Sequence, residues 1–319
     1  MWRIDQLKPM MSDLRRGVGL LGLAIACLSG NAVAQDEAAP EKRELKPCVE
    51  CHEAFFAIAD SKHGVQGDKR SPKGEGKECE SCHGDTSEHN RTPRKKGLVP
   101  VTFGAKAPAG PQNEKCLTCH QTGARIHWQG GTHDRAKMAC ANCHKAHVAK
   151  DPVLVAETQP GVCFECHKDK RAETLKLSSH PIKSGFIGCS SCHQPHGSTS
   201  RALMQKNTVN DTCFTCHADK RGPFLWEHRP AIDDCTNCHN PHGTNNAPML
   251  KVRIPQLCQN CHQSVNHSSM VSSGNQIAPS NLSSAAGALS NAIALGRACT
   301  NCHMKVHGTN HPSGARLQR

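Results

Sequence analysis

The sequence predicts a fold of short helices and loops, with little regular secondary structure and almost no apolar core of its own. Three observations predict it. Aromatic residues make up 3% of 319 residues, Tyr is absent and only 36% of residues are hydrophobic, a composition that for polypeptide alone leans toward disorder. Cysteine usage is high, at 21 residues. Twenty of those cysteines form ten Cys-x-x-Cys pairs, and every pair is followed at once by His.

The motifs are Cys48/Cys51-His52, Cys79/Cys82-His83, Cys116/Cys119-His120, Cys140/Cys143-His144, Cys163/Cys166-His167, Cys189/Cys192-His193, Cys213/Cys216-His217, Cys235/Cys238-His239, Cys258/Cys261-His262 and Cys299/Cys302-His303. This is the c-type haem attachment signature: two thiols make thioethers to the haem vinyl groups, and the adjacent imidazole falls under the iron as proximal ligand. Zinc knuckles and a disulfide scaffold both fail on the His column, because only 22 of 319 residues are His and all ten pairs carry one. The fold class that follows is a multihaem cytochrome c, with short α-helices and loops wrapped round a linear stack of ten haem c groups. The porphyrins supply the apolar core that the chain lacks.

The N-terminus reads as a secretory signal, residues 1–34. Arg15 and Arg16 form its basic part, Gly17–Gly30 is apolar and small, and Ala32-Val33-Ala34 is a cleavage site before Gln35. Cys27 as a lipidated residue lacks the usual Leu three positions upstream, where Ala24 stands. A twin-arginine route carries folded cargo, whereas haem is attached to cytochromes c after export. Removing 34 of 319 residues leaves 285, or 28.5 per haem. No other segment approaches the ~20 apolar residues that a membrane helix needs.

The net charge of +12 loses +2 with the signal, where Arg3, Lys8, Arg15 and Arg16 face Asp5 and Asp13. Ten haems with two propionates each bring about −10 when oxidised and about −20 when reduced. The basic residues therefore mostly neutralise propionates, and no nucleic-acid partner is read from them.

Twelve histidines lie outside the motifs, and most fall into a repeat of about five doubled units. His63, His133, His180 and His228 follow the first motif of a pair by 11 to 13 residues. His89, His147, His196, His242 and His307 follow the second motif by three to six. One of His267 or His311 completes a set of ten distal ligands, so bis-His ligation is the simplest count. His127 is left over. The close histidines are expected to reach a neighbouring haem, since three residues cannot wrap a porphyrin edge. The mature methionines show no repeat, and the absence of Met ligation argues for low potentials. The chain divides into an N-terminal pentahaem half (35–167) and a C-terminal pentahaem half (168–319) of one continuous wire.

Two segments break the repeat. Gly84–Gln112 is expected to be a solvated loop. Gln263–Gly296 has no Asp, Glu, Lys or Arg; it reads either as a flexible linker or, over Ser284–Leu295, as a weak apolar helix that would put Leu289 and Ile293 on one face. A stretch without charge is expected to contact a partner.

Several strings then resemble a known family: Val148–Leu154, Val209-Asn210-Asp211-Thr212-Cys213, Lys220-Arg221-Gly222-Pro223, Leu225-Trp226-Glu227-His228 and Val306–Gly314. They look like the MtrA/DmsE/PioA decahaem cytochromes of porin–cytochrome conduits. The resemblance covers most of the mature chain and is weaker before Cys116 and across Gln263–Gly296. It implies ten bis-His haems in a wire sheathed by an outer-membrane β-barrel porin, carrying electrons between periplasm and cell exterior. The implied partners are the barrel, a periplasmic or inner-membrane cytochrome, and an extracellular multihaem cytochrome or mineral. The implied roles are metal reduction or Fe(II) oxidation. A soluble periplasmic shuttle is one alternative. A multihaem reductase is another, but it needs an iron with an open position, and no motif here lacks a candidate second ligand.

Mass spectrometry of the mature protein is expected to give ten haem additions and a start at Gln35. Electron paramagnetic resonance of the native protein should be low spin throughout; a clear high-spin fraction would count against complete bis-His ligation.

Overall fold

The computed structural model describes residues 48–65, 69–72, 79–262 and 298–319, all within one compact unit. The expected signal peptide, Cys27, Gln35, His267 and the whole of Gln263–Gly296 with Leu289 and Ile293 lie outside the described residues.

Each motif folds as one turn. In all ten, the His N–H donates to the carbonyl of the first Cys at 2.9–3.1 Å, the closure of a single α turn. Residues i, i+3 and i+4 of such a turn share a face, so both thiols and the imidazole leave from one side. No described cysteine is in a disulfide.

Regular structure beyond these turns is sparse. The longest described α-helix, Ala109–Leu117, has nine residues, and Lys168–Thr174 has seven. Helices of this length do not persist in water on their own. Strands β1 (Trp226–Glu227) and β2 (Gly308–Thr309) pair antiparallel, Trp226 opposite Thr309. This short ladder, with Leu225 N–H donating to Asn310 Oδ1 at 2.6 Å, fastens the C-terminal segment onto residues 225–227. No described helix is long and apolar enough to cross a membrane.

The chain buries little apolar surface. Among the described residues six apolar side chains are buried, Ala59, Val101, Trp128, Ala139, Met204 and Leu250, against eleven polar ones. Leu177 and Phe186 are 90% and 81% exposed. Hydrophobic burial between side chains therefore cannot be what holds this fold, which matches the composition.

Polar clasps join the two motifs of a unit instead. Buried Asn113 donates from Nδ2 to Met138 O (3.0 Å) and accepts from Cys140 N–H (2.8 Å). Asn210 donates to Ala231 O (3.0 Å) and Ile232 O (2.7 Å) and accepts from Cys235 N–H (2.7 Å). Gln159 donates to Val153 O (2.7 Å) and accepts from Ser190 N–H beside Cys189 (2.9 Å). Each amide precedes the first Cys of its unit by three or four residues, so the third and fourth, fifth and sixth, and seventh and eighth motifs are pinned together. The repeat extends to the chain after the second motif. Gln205 N–H returns to Cys192 O and Lys251 N–H to Cys238 O, both at 2.8 Å, with Met204 and Leu250 buried at equivalent positions.

Gly84–Gln112 is not simply a solvated loop. Residues 91–97 are exposed, but Ser87–Arg91 is helical and carries His89. Gln112, 1% exposed, accepts from Gly104 N–H (2.9 Å) and donates to Ala107 O (2.8 Å). One buried amide thus orders a segment whose composition reads as loop.

Replacing Asn210 by Ala orphans the Cys235 N–H and two carbonyls. At roughly 1–3 kcal/mol per buried group left unpaired, the melting temperature followed by circular dichroism is expected to fall by several degrees, with Asn210→Gln less costly than Asn210→Ala.

Candidate functional site

The turn of each motif fixes where its imidazole points, and the tertiary fold brings a second imidazole opposite it. Nine such pairs are described. His52 faces His89 at a ring-centre separation of 6.1 Å, His63 faces His120 at 6.1 Å, and His83 faces His147 at 6.1 Å. His133 faces His167 at 6.2 Å, His144 faces His196 at 5.9 Å, and His180 faces His217 at 6.2 Å. His193 faces His242 at 6.0 Å, His228 faces His262 at 6.1 Å, and His239 faces His307 at 6.2 Å.

The spacing has a simple physical meaning. A metal bonded to two opposed imidazoles at about 2 Å each, with each ring centre roughly 1 Å behind its nitrogen, places the centres about 6 Å apart. Two rings in direct van der Waals stacking would lie closer. The gap fits an iron in a porphyrin plane, with two thiols beside one ring to anchor the macrocycle.

The pairs interleave. His63, His133, His180 and His228 each face the first motif His of the next unit. His147, His196, His242 and His307 each face the second motif His of the unit before. Among the described residues, only His89 faces a motif His of its own unit, His52, in the first described unit. Consecutive units are therefore tied in both directions.

The other ring nitrogen is engaged systematically. Nδ1–H donates to a backbone carbonyl from His83 to Val101 (3.1 Å), His133 to Pro195 (2.8 Å), His180 to Pro241 (2.8 Å), His193 to Ala202 (2.8 Å), His239 to Pro248 (2.9 Å) and His303 to Leu317 (3.2 Å). His228 is bonded to the Val306 backbone. His144 and His242 use carboxylates, Asp151 Oδ2 at 2.7 Å and Glu173 Oε2 at 3.3 Å. A carbonyl or carboxylate can only accept, so the proton sits on Nδ1 and the Nε2 lone pair is free for a metal. Burial pushes His63, His147, His228, His242 and His307 below the ordinary imidazole value, and His196 to about 4. The rings are neutral at pH 7, as a ligand must be.

His133, His180 and His228 all bond the residue just before a close histidine: Pro195 before His196, Pro241 before His242 and Val306 before His307. The glycine that follows each close histidine has a matching reason. Gly197 has φ +121° and a Cβ there would strike the His127 carbonyl; Gly243 and Gly308 meet the Glu173 carbonyl and the Phe224 ring in the same way.

His311 is arranged differently. Its Nδ1 accepts from the Ser313 backbone N–H at 3.1 Å, so in the neutral ring the proton lies on Nε2 and that nitrogen has no lone pair to offer. His127 is exposed, and what it contributes at Gly197 is its backbone carbonyl. His267 lies outside the described residues. The roles of Asp151, Glu173 and the three amides have no motif in the sequence; only the spacing of Asn113 and Asn210 from their cysteines repeats.

The motifs line up in chain order. The thiols of Cys116 and Cys140, Cys163 and Cys189, and Cys213 and Cys235 share hydrogen bonds, as do Cys258 and Cys299. Cys82 with Cys116, Cys143 with Cys166, Cys192 with Cys216, and Cys238 with Cys261 are close enough to feel each other's charge. From the second motif to the tenth, each is next to its successor.

From the second unit on, the first cysteine meets the first within a unit, and the second meets the second between units. No thiol neighbour is described for Cys51, Cys119 or Cys302, nor for Cys79. Cys51 and Cys119 are exposed, and Cys302 is half-buried. For Cys51 and Cys302 the reason is position. They are the outward-facing second cysteines of the first and last motifs, and no described unit lies beyond either. Cys82 lies beside Cys116, as Cys143 lies beside Cys163 and Cys192 beside Cys213, and Cys119 Sγ accepts from the neighbouring Thr118 hydroxyl at 3.8 Å. The motif turn still sets all three thiols on the same face as their imidazoles, His52, His120 and His303. The local geometry for a thioether is thus present in each.

Comparison with known proteins places this geometry. Residues 180–222 and 228–267 match the doubled CXXCH motif family, residues 79–159 the NrfB-like c-type cytochromes, and residues 27–84 the cytochrome c554 and c-prime family. The multiheme cytochrome MtrA of Shewanella baltica is 47% identical over 278 residues, 85% of this chain and 80% of that protein. The c-type protein NrfB of Haemophilus influenzae is 33% identical over 128 residues, 36% of this chain and 56% of that protein. The polyheme cytochrome OmcB of Geobacter sulfurreducens is 27% identical over 174 residues, 50% of this chain and 21% of that protein.

Replacing His311 by Ala is expected to leave haem content and the low-spin spectrum unchanged. Replacing His307 by Ala should convert about one haem in ten to a five-coordinate, high-spin form, read by electron paramagnetic resonance.

Proposed function

The chain belongs to the family of the multihaem cytochrome MtrA, and on that footing we propose that it is a decahaem wire carrying electrons between periplasm and cell exterior through an outer-membrane β-barrel. The observation that carries the proposal is the run of nine imidazole pairs, each near 6 Å, on motifs ordered in space as in the chain.

In this reading the twenty motif cysteines, Cys51, Cys119 and Cys302 among them, hold the porphyrins as thioethers, and the ten motif histidines are the proximal ligands. The distal ligands are His63, His89, His133, His147, His180, His196, His228, His242 and His307. His267 is the tenth, because the Nδ1 of His311 is occupied as an acceptor. Bound haem supplies one-electron redox chemistry at potentials set by its axial ligands. The residues hold each imidazole in one tautomer and fix its reach, so that no coordination position is left for a substrate. The two pentahaem halves, 35–167 and 168–319, are one wire because His144 and His196 meet across that boundary.

The character of the backbone supports a barrel partner for a chain at membrane depth. Irregular backbone at membrane depth is tolerated only when it is buried in protein or lines a cavity, and this chain is mostly irregular backbone. A soluble periplasmic carrier is the second reading; the match of residues 79–159 to NrfB-like cytochromes favours it.

Detergent extraction decides between them: a barrel protein should copurify with the cytochrome, and its absence would leave the carrier. In proteoliposomes holding that complex, His228→Met is expected to slow transmembrane electron flux while haem content stays at ten. Thioether ligation raises the potential of one haem, and in a linear wire one displaced site obstructs the whole. Unchanged flux would argue for branching or against ligation by His228.

A further inference from the structure

We propose that Asp151 is a positioning residue that lowers the potential of the haem carried by His144, by placing a carboxylate on the back of its imidazole. The proposal rests on the reading that His144 and His196 are axial ligands. Most of the Nδ1 acceptors described are neutral backbone carbonyls, and His196 meets the neutral amide oxygen of Gln194 at 3.2 Å; the carboxylates of Asp151 and Glu173 are the charged ones. The two are not equivalent. Glu173 Oε2 lies 3.3 Å from His242 Nδ1 and also 3.2 Å from Lys170 Nζ, so its charge is offset by a cation. Asp151 Oδ2 lies 2.7 Å from His144 Nδ1, its side chain is 13% exposed, and no Lys or Arg pairs with it among the described residues.

The backbone aims this oxygen. Asp151 caps the turn Pro152–Leu154, and its Oδ1 accepts from Val153 N–H at 3.4 Å and from Lys145 N–H at 3.2 Å. With Oδ1 held, Oδ2 points at the ring. A short charge-assisted hydrogen bond in a partly buried position is about twice as strong as a neutral one, and it draws the Nδ1 proton toward the carboxylate. The ring becomes more imidazolate-like and Nε2 a stronger donor, which favours ferric over ferrous iron. His144 belongs to the fourth of ten motifs, so the effect makes a raised step for electrons inside the wire rather than at an end.

The test is a spectropotentiometric titration of the full-length holoprotein. Asp151→Asn removes the charge while keeping an Oδ1 for the cap. One haem of ten should shift toward the ferrous form by about tenfold in its redox equilibrium, about 59 mV for one electron, with ten low-spin haems retained. Asp151→Glu should restore most of the original titration, and Glu173→Gln should move its own haem less than Asp151→Asn does. A titration of Asp151→Asn that superimposes on the wild type would overturn the proposal and leave Asp151 a turn cap. Should Asp151→Asn bind fewer than ten haems, Asp151→Ser, which keeps a capping oxygen without the carboxylate, is read with the same two outcomes. His196→Met separates the two layers of the argument. If it moves one haem to higher potential while Asp151→Asn moves none, the ligand reading stands and the Asp151 proposal fails. If His196→Met also moves none, the ligand reading itself fails.

Discussion

Two imidazoles facing each other across about 6 Å, one from a motif and one from another part of the chain, are the contact on which the rest of this structure depends. Six buried apolar side chains cannot offset the conformational entropy of more than two hundred ordered residues at about 1–2 kcal/mol each. Short helices and two-residue strands add little. What remains is a set of cross-links, and their layout explains why the fold needs no conventional core. Because His133 reaches into the fifth motif and His196 back to the fourth, a unit taken alone would lose partners on both sides. Stability in such a chain is shared between neighbours, as in other repeat architectures, except that the links are facing imidazoles rather than apolar side-chain packing.

The backbone around each pair serves the same end. The carbonyl ahead of a close histidine receives the Nδ1–H of a long-interval histidine from the preceding unit. The glycine behind it lets another chain segment pass where a Cβ would collide. The string Pro-His-Gly is thus three roles in three consecutive residues: an acceptor for one ring, a ring for a second site, and clearance for the backbone. The buried amides Asn113, Gln159 and Asn210 act within a unit, the imidazoles act between units, and together they set the order of the motifs.

Polarity at the site favours neutral imidazoles in the tautomer that a ligand needs. Burial disfavours the imidazolium, and a carbonyl or carboxylate on Nδ1 selects the tautomer with a free Nε2. His311 is the instructive exception: the count of histidines leaves it open beside His267, yet a backbone N–H donates to its Nδ1 and selects the other tautomer. Spacing alone cannot make that distinction, because it depends on which group of Ser313 faces the ring.

The sequence by itself determined everything that is local. Five residues, Cys-x-x-Cys-His, close one turn and put two thiols and an imidazole on one face, so the number of motifs, the cofactor and the lack of an apolar core were all legible without coordinates. Spacing also singled out His63, His89, His133, His147, His180, His196, His228, His242 and His307. Which ring faces which was decided only by the tertiary structure. The hydrogen bonds that fix it, such as His133 to Pro195 or His180 to Pro241, join residues 62 and 61 positions apart, and no periodicity in a single chain encodes a partner at that distance. The ordering of Gly84–Gln112 by Gln112, the clasps, and the carboxylate behind His144 belong to the same class. Each is an ordinary polar residue whose role comes from what the fold places within 3 Å of it.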